Sequence, residues 1–262
     1  MSRPTAEEKS NSVKSVTKAL LIMEELDKSG ELSIRDLSER LLMDKATVHR
    51  LINTVKAAGF VNQNPDNKKY SNSLKLLAMG NRVMGKLGVK HIARPYMEAL
   101  SEKTDETINL GSRVDDRIIY IDKLESSSTI RVDLGVGVSV PSYCSGLGKA
   151  ILAFMPEAEL AEINSVNFEQ FTDHTIVERD ALLEEFEKIR RNGYSVDDEE
   201  YVDGLVCFGA PIFDFHGYPI AAISIACPKY RYDAERHLKL YTGLVLDAAG
   251  SISKMMGFKP VK

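Results

Sequence analysis

Residues 31–61, ELSIRDLSERLLMDKATVHRLINTVKAAGFV, read as two short helices joined by a tight turn and running into a strand. Ser33 suits an N-cap, and Asp36, three residues on, completes a variant of the capping box. Ile34, Leu37 and Leu41 then line one face at helical spacing. Asp44 caps a second helix in which Val48, Leu51, Ile52 and Val55 point inward. Lys45, Thr47, His49, Arg50 and Asn53 are left on its other face, and Gly59 ends it before the β-prone pair Phe60-Val61. A polar, basic helix closing such a pair suits a DNA major groove, with charge for phosphates and hydrogen-bonding groups for base edges. A solvated helical hairpin shows the same spacing, so the decision falls to the flanking residues.

Those flanks favour a winged module. Asn64-Pro65-Asp66-Asn67 is a dense turn signal, and Lys68-Lys69-Tyr70 returns as a short basic strand, giving a wing placed to follow a phosphate backbone. Val16, Ala19, Leu20, Met23 and Leu26 predict a preceding helix that closes a small core. The candidate DNA contacts are Ser33, Lys45, Thr47, His49, Arg50, Asn53, Lys68 and Lys69.

Charge is distributed accordingly. The chain carries −4 overall, but residues 1–73 hold 12 basic against 10 acidic side chains, and residues 40–73 hold six against two. Positive potential is thus concentrated on the second helix and the wing. A patch this modest predicts weak binding by one module, with affinity raised by two modules linked on one DNA.

At 262 residues, with 44% hydrophobic and 27% charged side chains, the chain suits one small and one medium domain. It has no apolar run of about 18 residues, so no membrane partner is expected. MSRPTAEEKSNS reads as a polar, disordered arm rather than a signal peptide. Cys144, Cys207 and Cys227, without a CxxC, fit free thiols in a reducing cytoplasm. Beyond the wing, Leu74, Leu77, Val83, Met84 and Leu87 predict a linker helix broken around Gly85 and Gly88. A further helix is expected from Ile92 to about Lys103. Strands follow at 106–111, 117–124 and 129–134, then a loop over 141–146 and a helix over 147–154. A helix at 179–192, strands near 205–213 and 219–227 and a long helix from about Ala234 to Met256 complete an α+β domain.

Several spaced segments, in this order, resemble the IclR family of bacterial transcriptional regulators: KATVHRL, ETINLG, DDRIIYIDKLE, YCSGLGKAILA, DDEEYVDGLVCFGAPIFDFHG and AAISIACP. The likeness covers nearly the whole chain. ETINLG and DDEE-x3-GLVC look most like the branch that contains the 2-keto-3-deoxygluconate repressor. The resemblance implies an N-terminal winged helix-turn-helix domain (12–73), a linker helix (74–90) and a C-terminal GAF-like effector-binding domain (91–258), after a disordered arm (1–11). It also implies a cytoplasmic repressor of a carbon-catabolic operon. Its partners are double-stranded operator DNA, a small carboxylate or sugar-acid effector, and a second copy of itself, with dimers paired into tetramers.

In similar proteins, small carboxylates are held by backbone N–H groups at a GxGK turn, here Gly146-Leu147-Gly148-Lys149. Facing it, the family's pocket positions fall on Asp197, Cys207 and Ser224. Tyr143 and Ser145 are added as neighbours, so the candidate effector contacts are Tyr143, Ser145, Gly146, Leu147, Asp197, Cys207 and Ser224. A nucleotide phosphate loop is disfavoured because GxxxxGK[ST] is absent. The plainer readings are a mere tight turn, a solvated charge in the run Asp197-Asp198-Glu199-Glu200, and ordinary burial of Cys207. Ala226 departs from relatives that carry a second serine there, which removes a polar contact. No catalytic residue, metal ligand or cofactor is expected. His174 and His216 lack ligand spacing, and neither a nucleophile elbow nor Rossmann glycines occur. A metal-responsive regulator and, below it, an enzyme using the same pocket are the alternatives.

Overall fold

The computed structural model describes residues 13–84, 88–127, 134–160 and 168–259. The predicted arm, and the strand expected over 129–134 apart from Leu134, lie outside that range. Contacts group the chain into two compact units that divide after residue 86.

The first unit is built from short-range signals. Helices α1 (Lys14–Ser29), α2 (Ile34–Arg40) and α3 (Lys45–Ala57) are followed by strands β1 (Val61–Gln63) and β2 (Tyr70–Asn72) and by helix α4 (Leu74–Met84). At the start of α2, Ser33 Oγ accepts the Asp36 N–H while the Asp36 carboxylate accepts the Ser33 N–H, the predicted capping box. Asp44 caps α3 by accepting the Thr47 N–H at 2.8 Å. Ile22, Leu26, Leu37, Val48, Leu51, Ile52, Val55, Val61 and Tyr70 form the core. The expected stripe of α1 is corrected in part. Ala19, Met23 and Leu26 meet the core as expected, but Val16 and Leu20 are more than half exposed and Ile22 takes their place. An apolar-rich helix offers two overlapping 3–4 stripes, and only tertiary packing selects between them. The wing is tied to the body by a bridge between Leu32 and Tyr70. Glu31 also accepts from the side-chain amides of Asn64 and Asn67. On α4, Leu74 and Leu77 are exposed, while Val83, Met84 and Leu87 lie outside the described side chains.

The second unit begins with α5 (Gly88–Thr104), which starts four residues before the expected Ile92 and carries Pro95 near its middle. Strands β3 (Thr107–Val114), β4 (Arg117–Leu124) and β5 (Ser139–Pro141) follow, then α6 (Gly146–Leu152) and, after a single helical turn at Glu157–Leu160, α7 (Arg179–Asn192). Strands β6 (Ser195–Asp198), β7 (Leu205–Phe213) and β8 (Pro219–Pro228) and helix α8 (Ala234–Met255) complete the unit. The strands make one sheet in the order β5-β4-β3-β8-β7-β6, with antiparallel neighbours throughout. β5 and β6 were not expected, and the expected loop over 141–146 gives up Pro141 to β5.

Alternation along β7 separates the two faces of the sheet. Phe208 meets Tyr241 of α8 at 5.6 Å between ring centroids. Its neighbours Cys207 and Gly209 lie under α6, so close that a Cβ on Gly209 would come within 2.4 Å of the Gly146 carbonyl oxygen. A Cβ on Gly148 would likewise meet the Ser142 carbonyl oxygen at 2.1 Å. Glycine is therefore required at both positions for α6 to lie on the sheet.

Candidate functional site

Two sites can be built, one in each unit. In the first, the caps at Ser33 and Asp44 fix where α2 and α3 begin, and the polar face of α3 is presented rather than packed. Lys45, His49, Arg50 and Asn53 are exposed. The side chains of Lys45 and Arg50 make no hydrogen bond or ion pair among the described residues. Asn53 Nδ2 lies 3.2 Å from His49 Nε2, which aligns these two side chains one helical turn apart. Thr47 is half-buried, and its backbone is held by Asp44. Ser33 spends its hydroxyl on Asp36, donating at 2.8 Å. In the wing, Lys68 and Lys69 precede β2 instead of forming its start, because Lys68 turns the chain with a left-handed φ of 58°; its Nζ donates to the Pro65 carbonyl. Lys69 is half-buried, with Glu31 and Asp36 both feeling its charge.

The second site lies on the α6 face of the sheet. Register sets two adjoining cross-strand rows there: Asp197, Cys207, Ala226 and Thr107 in one, and Ser195, Gly209, Ser224, Asn109 and Lys123 in the other. Cys207 and Ala226 form part of the wall of a cleft, along with Thr107, Asn109, Tyr120 and Lys123. The cleft holds about 430 Å³ of space out to its mouth, of which about 30 Å³ admits the centre of a water molecule. Its walls are close, so any guest has to part them.

Beside this cleft, Asp197 is buried and accepts the Glu200 N–H at 2.9 Å. Burial pushes its carboxyl up to about 7, reinforced by the charge of Glu200, while Lys149 and the backbone N–H groups of Glu200 and Gly146 act in the opposite direction. The structure thus brings Asp197, Cys207 and Gly146 together, although of the three only Cys207 lines the cleft. Burial also holds the Cys207 thiol far above its ordinary value, which keeps it protonated and poorly nucleophilic. Lys149 is fully buried, donating to the Val196 carbonyl at 2.6 Å and pairing with Glu200, and so ties α6 to the end of β6. Ser224 is buried between Asn109 and Gly209.

Two expected contacts are engaged elsewhere. Tyr143 donates to the Glu169 carbonyl at 2.7 Å and packs on Phe168. Ser145 caps α6, accepting from the Gly148 N–H and donating to the Pro141 carbonyl. Sequence reasoning missed Asn109, Tyr120 and Lys123. The signal lay in ETINLG, where alternate residues Thr107 and Asn109 share a face, but their partners on β4 depend on a bulge between Leu110 and Gly111. Among the described residues, no group of three or more His, Cys, Asp or Glu side chains is placed to hold a metal ion. No described helix is long and apolar enough to cross a membrane.

Comparison with known proteins agrees with this architecture. The profile "IclR helix-turn-helix domain" matches residues 15–65, and "Bacterial transcriptional regulator IclR C-terminal" matches residues 81–254. The chain is 36% identical over 259 residues to the HTH-type transcriptional regulator KdgR of Escherichia coli K12, covering 98% of both chains. It is 34% identical over 244 residues to the HTH-type transcriptional repressor AllR of the same organism, covering 92% of this chain and 90% of that one. The crystal structure of the Thermotoga maritima IclR superposes with a TM-score of 0.73 at 31% identity, over 94% of this chain and all of that one. With both units matched in order and relatives above 30% identity over nearly the full length, the chain belongs to the IclR family of DNA-binding bacterial transcriptional regulators.

Proposed function

We propose that this regulator is a one-component repressor of a carbon-catabolic operon whose grip on its operator is altered by a small organic acid bound over Cys207. The observation that carries the reading is the contrast between an open, cationic α3 face and a narrow cleft with polar side chains in its wall in the other unit. α3 enters the major groove, where Lys45, Thr47, Arg50 and Asn53 are the candidates for phosphate and base contacts, and the wing follows the backbone. Asp197 accepts from a hydroxyl of the acid, Ser224 donates or accepts, and Cys207 supplies a small wall. The acid shifts the equilibrium between assemblies only by as much as its affinity differs between them, and release from DNA is the direction proposed.

Regulators of this family bind operator DNA and form oligomers. For this chain the arrangement we propose is a homodimer, paired further into a tetramer, with α4 as the linker. Exposed Val13, Val16, Leu20 and Leu21 near α1, and Leu74, Leu77 and Met79 on α4, support it, since apolar side chains this dense on a surface call for cover. Action in the cytoplasm follows from operator binding. An enzymatic reading is disfavoured by the protonated, buried Cys207.

The test is Arg50→Ala. Removing a groove-facing guanidinium should weaken operator binding by about 10- to 100-fold, corresponding to roughly 1–3 kcal/mol, in a gel-shift titration at fixed salt. The melting temperature, and any stabilisation by an acid, should stay as in the wild type. Operator affinity equal to wild type removes α3 from the groove.

A further inference from the structure

The cleft over Cys207 contains buried polar groups that no hydrogen bond within the described residues satisfies. Lys123 and Asn109 face each other directly across β4 and β3, and both line the cleft. The Lys123 side chain is only 6% exposed, and its buried Nζ has no hydrogen-bond partner among the described residues. Glu125 Oε1 forms an ion pair with it at 3.6 Å, too long to serve as a hydrogen bond. Asn109 Oδ1 is likewise buried without a partner. Most of the surrounding polar groups are committed. Thr107 Oγ1 accepts the Ser126 N–H, Ser126 Oγ donates to the Asp105 carbonyl, and Glu106 is paired with Arg231, although Arg231 Nε also lacks a partner. A buried ammonium whose protons meet no close acceptor and a buried amide oxygen that meets no donor are both costly. Side by side in one cleft, they ask for a guest that presents an acceptor to the first and a donor to the second. Adjacent acceptor and hydroxyl oxygens on a hydroxylated acid meet that description.

The spacing sets the guest's length. Cys207 on β7 and Lys123 on β4 are three strand intervals apart, roughly 14 Å between strand axes at about 4.8 Å each. Both side chains line the cleft, so a guest that touches both has to be longer than a two- or three-carbon acid. Resting on the acid-effector reading given above, we propose that Lys123 and Asn109 are the specificity-determining pair of the cleft. They select hydroxylated five- or six-carbon acids, with Lys123 donating to a distal oxygen and Asn109 Oδ1 accepting from the neighbouring hydroxyl.

Calorimetric titration of the full chain with D-gluconate, D-galactarate, pyruvate and glyoxylate tests this. At least one six-carbon acid should bind the wild type ten times more tightly than either short acid. Lys123→Met should lower that affinity tenfold or more and Asn109→Ala several-fold, while Lys123→Arg stays within about threefold of wild type. Operator binding by each variant shows that it is folded, and Lys123→Gln replaces the Met variant if that one does not fold. Six-carbon binding unchanged within twofold in Lys123→Met, or short acids binding the wild type equally well, overturns the pair but leaves the acid effector standing. If none of the four acids binds or alters an operator titration, the acid-effector reading itself falls, and the pair with it.

Discussion

The carboxylates of the winged unit and the buried carboxylates of the effector unit are held in opposite ways. In the winged unit Asp36 is lowered chiefly by the Ser33 backbone N–H, Asp44 by Thr47, Glu25 by Arg40 and Glu31 by Asn67. All four use the charge to cap a helix or to tie elements together. In the effector unit Glu106, Asp197 and Glu200 are raised, and in each the first cause is burial. Exposed carboxylates of that unit, such as Asp105 and Glu187, behave like those of the winged unit. The difference separates two ways of recognising charge. A surface that meets a polyanion keeps its acids busy with its own scaffold and leaves the cations of the presented face, here Lys45 and Arg50, free. A cleft that meets a small molecule holds its charges out of water, where each one is costly until it is matched.

The sharpest way to break this contrast is to remove the cation that makes the buried acids tolerable. Lys149→Met strands Glu200, with Glu185 Oε1 a further 3.8 Å neighbour of the lost ammonium. Losing one partner of a buried pair costs about 3–5 kcal/mol. The loss should appear in hydrogen exchange as faster opening of α6 and β6, with α2 and α3 unchanged. Adding Glu200→Gln should restore much of it, because the double variant leaves no unmatched charge. A single variant as stable as wild type would mean that Glu200 is not buried in solution.

The next effect depends on pH. Asp197 has a folded value of about 7 against an ordinary value of 3.8. Between those limits the folded state holds a proton that the unfolded state has released. Stability from this group is therefore greatest below about pH 4, falls as pH rises toward 7, and levels off above. Asp197→Asn keeps an oxygen to accept the Glu200 N–H and removes the titration. It should stabilise the protein at pH 8 by up to roughly 4 kcal/mol, at about 1.4 kcal/mol for each pH unit separating the folded and unfolded values, and by almost nothing at pH 4. The four lowered carboxylates of the winged unit have the opposite sign, their support being lost only as pH falls through values below 4.5. Thermal melts at pH 4, 6 and 8 separate the two. A gain that does not change with pH would remove ionisation of Asp197 from the explanation.

How far the sequence could be read follows the same division. The winged unit was legible because its signals are local: Ser33 and Asp44 sit one residue before their helices, and the turn at 64–67 lies between its own strands. Its errors were small: on α1, Val16 and Leu20 were expected inward where Ile22 is, a choice only tertiary contact could make, and the strand expected over 68–70 starts at Tyr70. In the effector unit the informative relations are long-range. β6 was hidden because an acidic run reads as solvated loop, yet Asp197 pairs with Cys207 ten positions on and is buried there. The family resemblance named Asp197, Cys207 and Ser224, and the register places them on one face. It did not name Lys123 or Asn109, because which face Lys123 takes depends on the β3–β4 bulge, which no local pattern announces.

The smallest expected effect lies in the winged unit, in the turn between α2 and α3. Leu42 has a φ of 49° and is 93% exposed. A branched residue in the left-handed region is disfavoured by about 1–2 kcal/mol, and at this exposure little packing inside the chain offsets it. Glycine removes that strain but adds roughly 0.5–1 kcal/mol of unfolded-state entropy. Leu42→Gly should therefore be more stable than wild type by about 0.5 kcal/mol, seen as a slightly higher urea midpoint, with slower exchange confined to α2 and α3. Because the turn leaves the caps at Ser33 and Asp44 untouched, the α3 face keeps its geometry and operator affinity should not change. A clear loss of stability would show that Leu42 is covered in solution. A loss of operator affinity at unchanged stability would instead put the turn itself against the DNA.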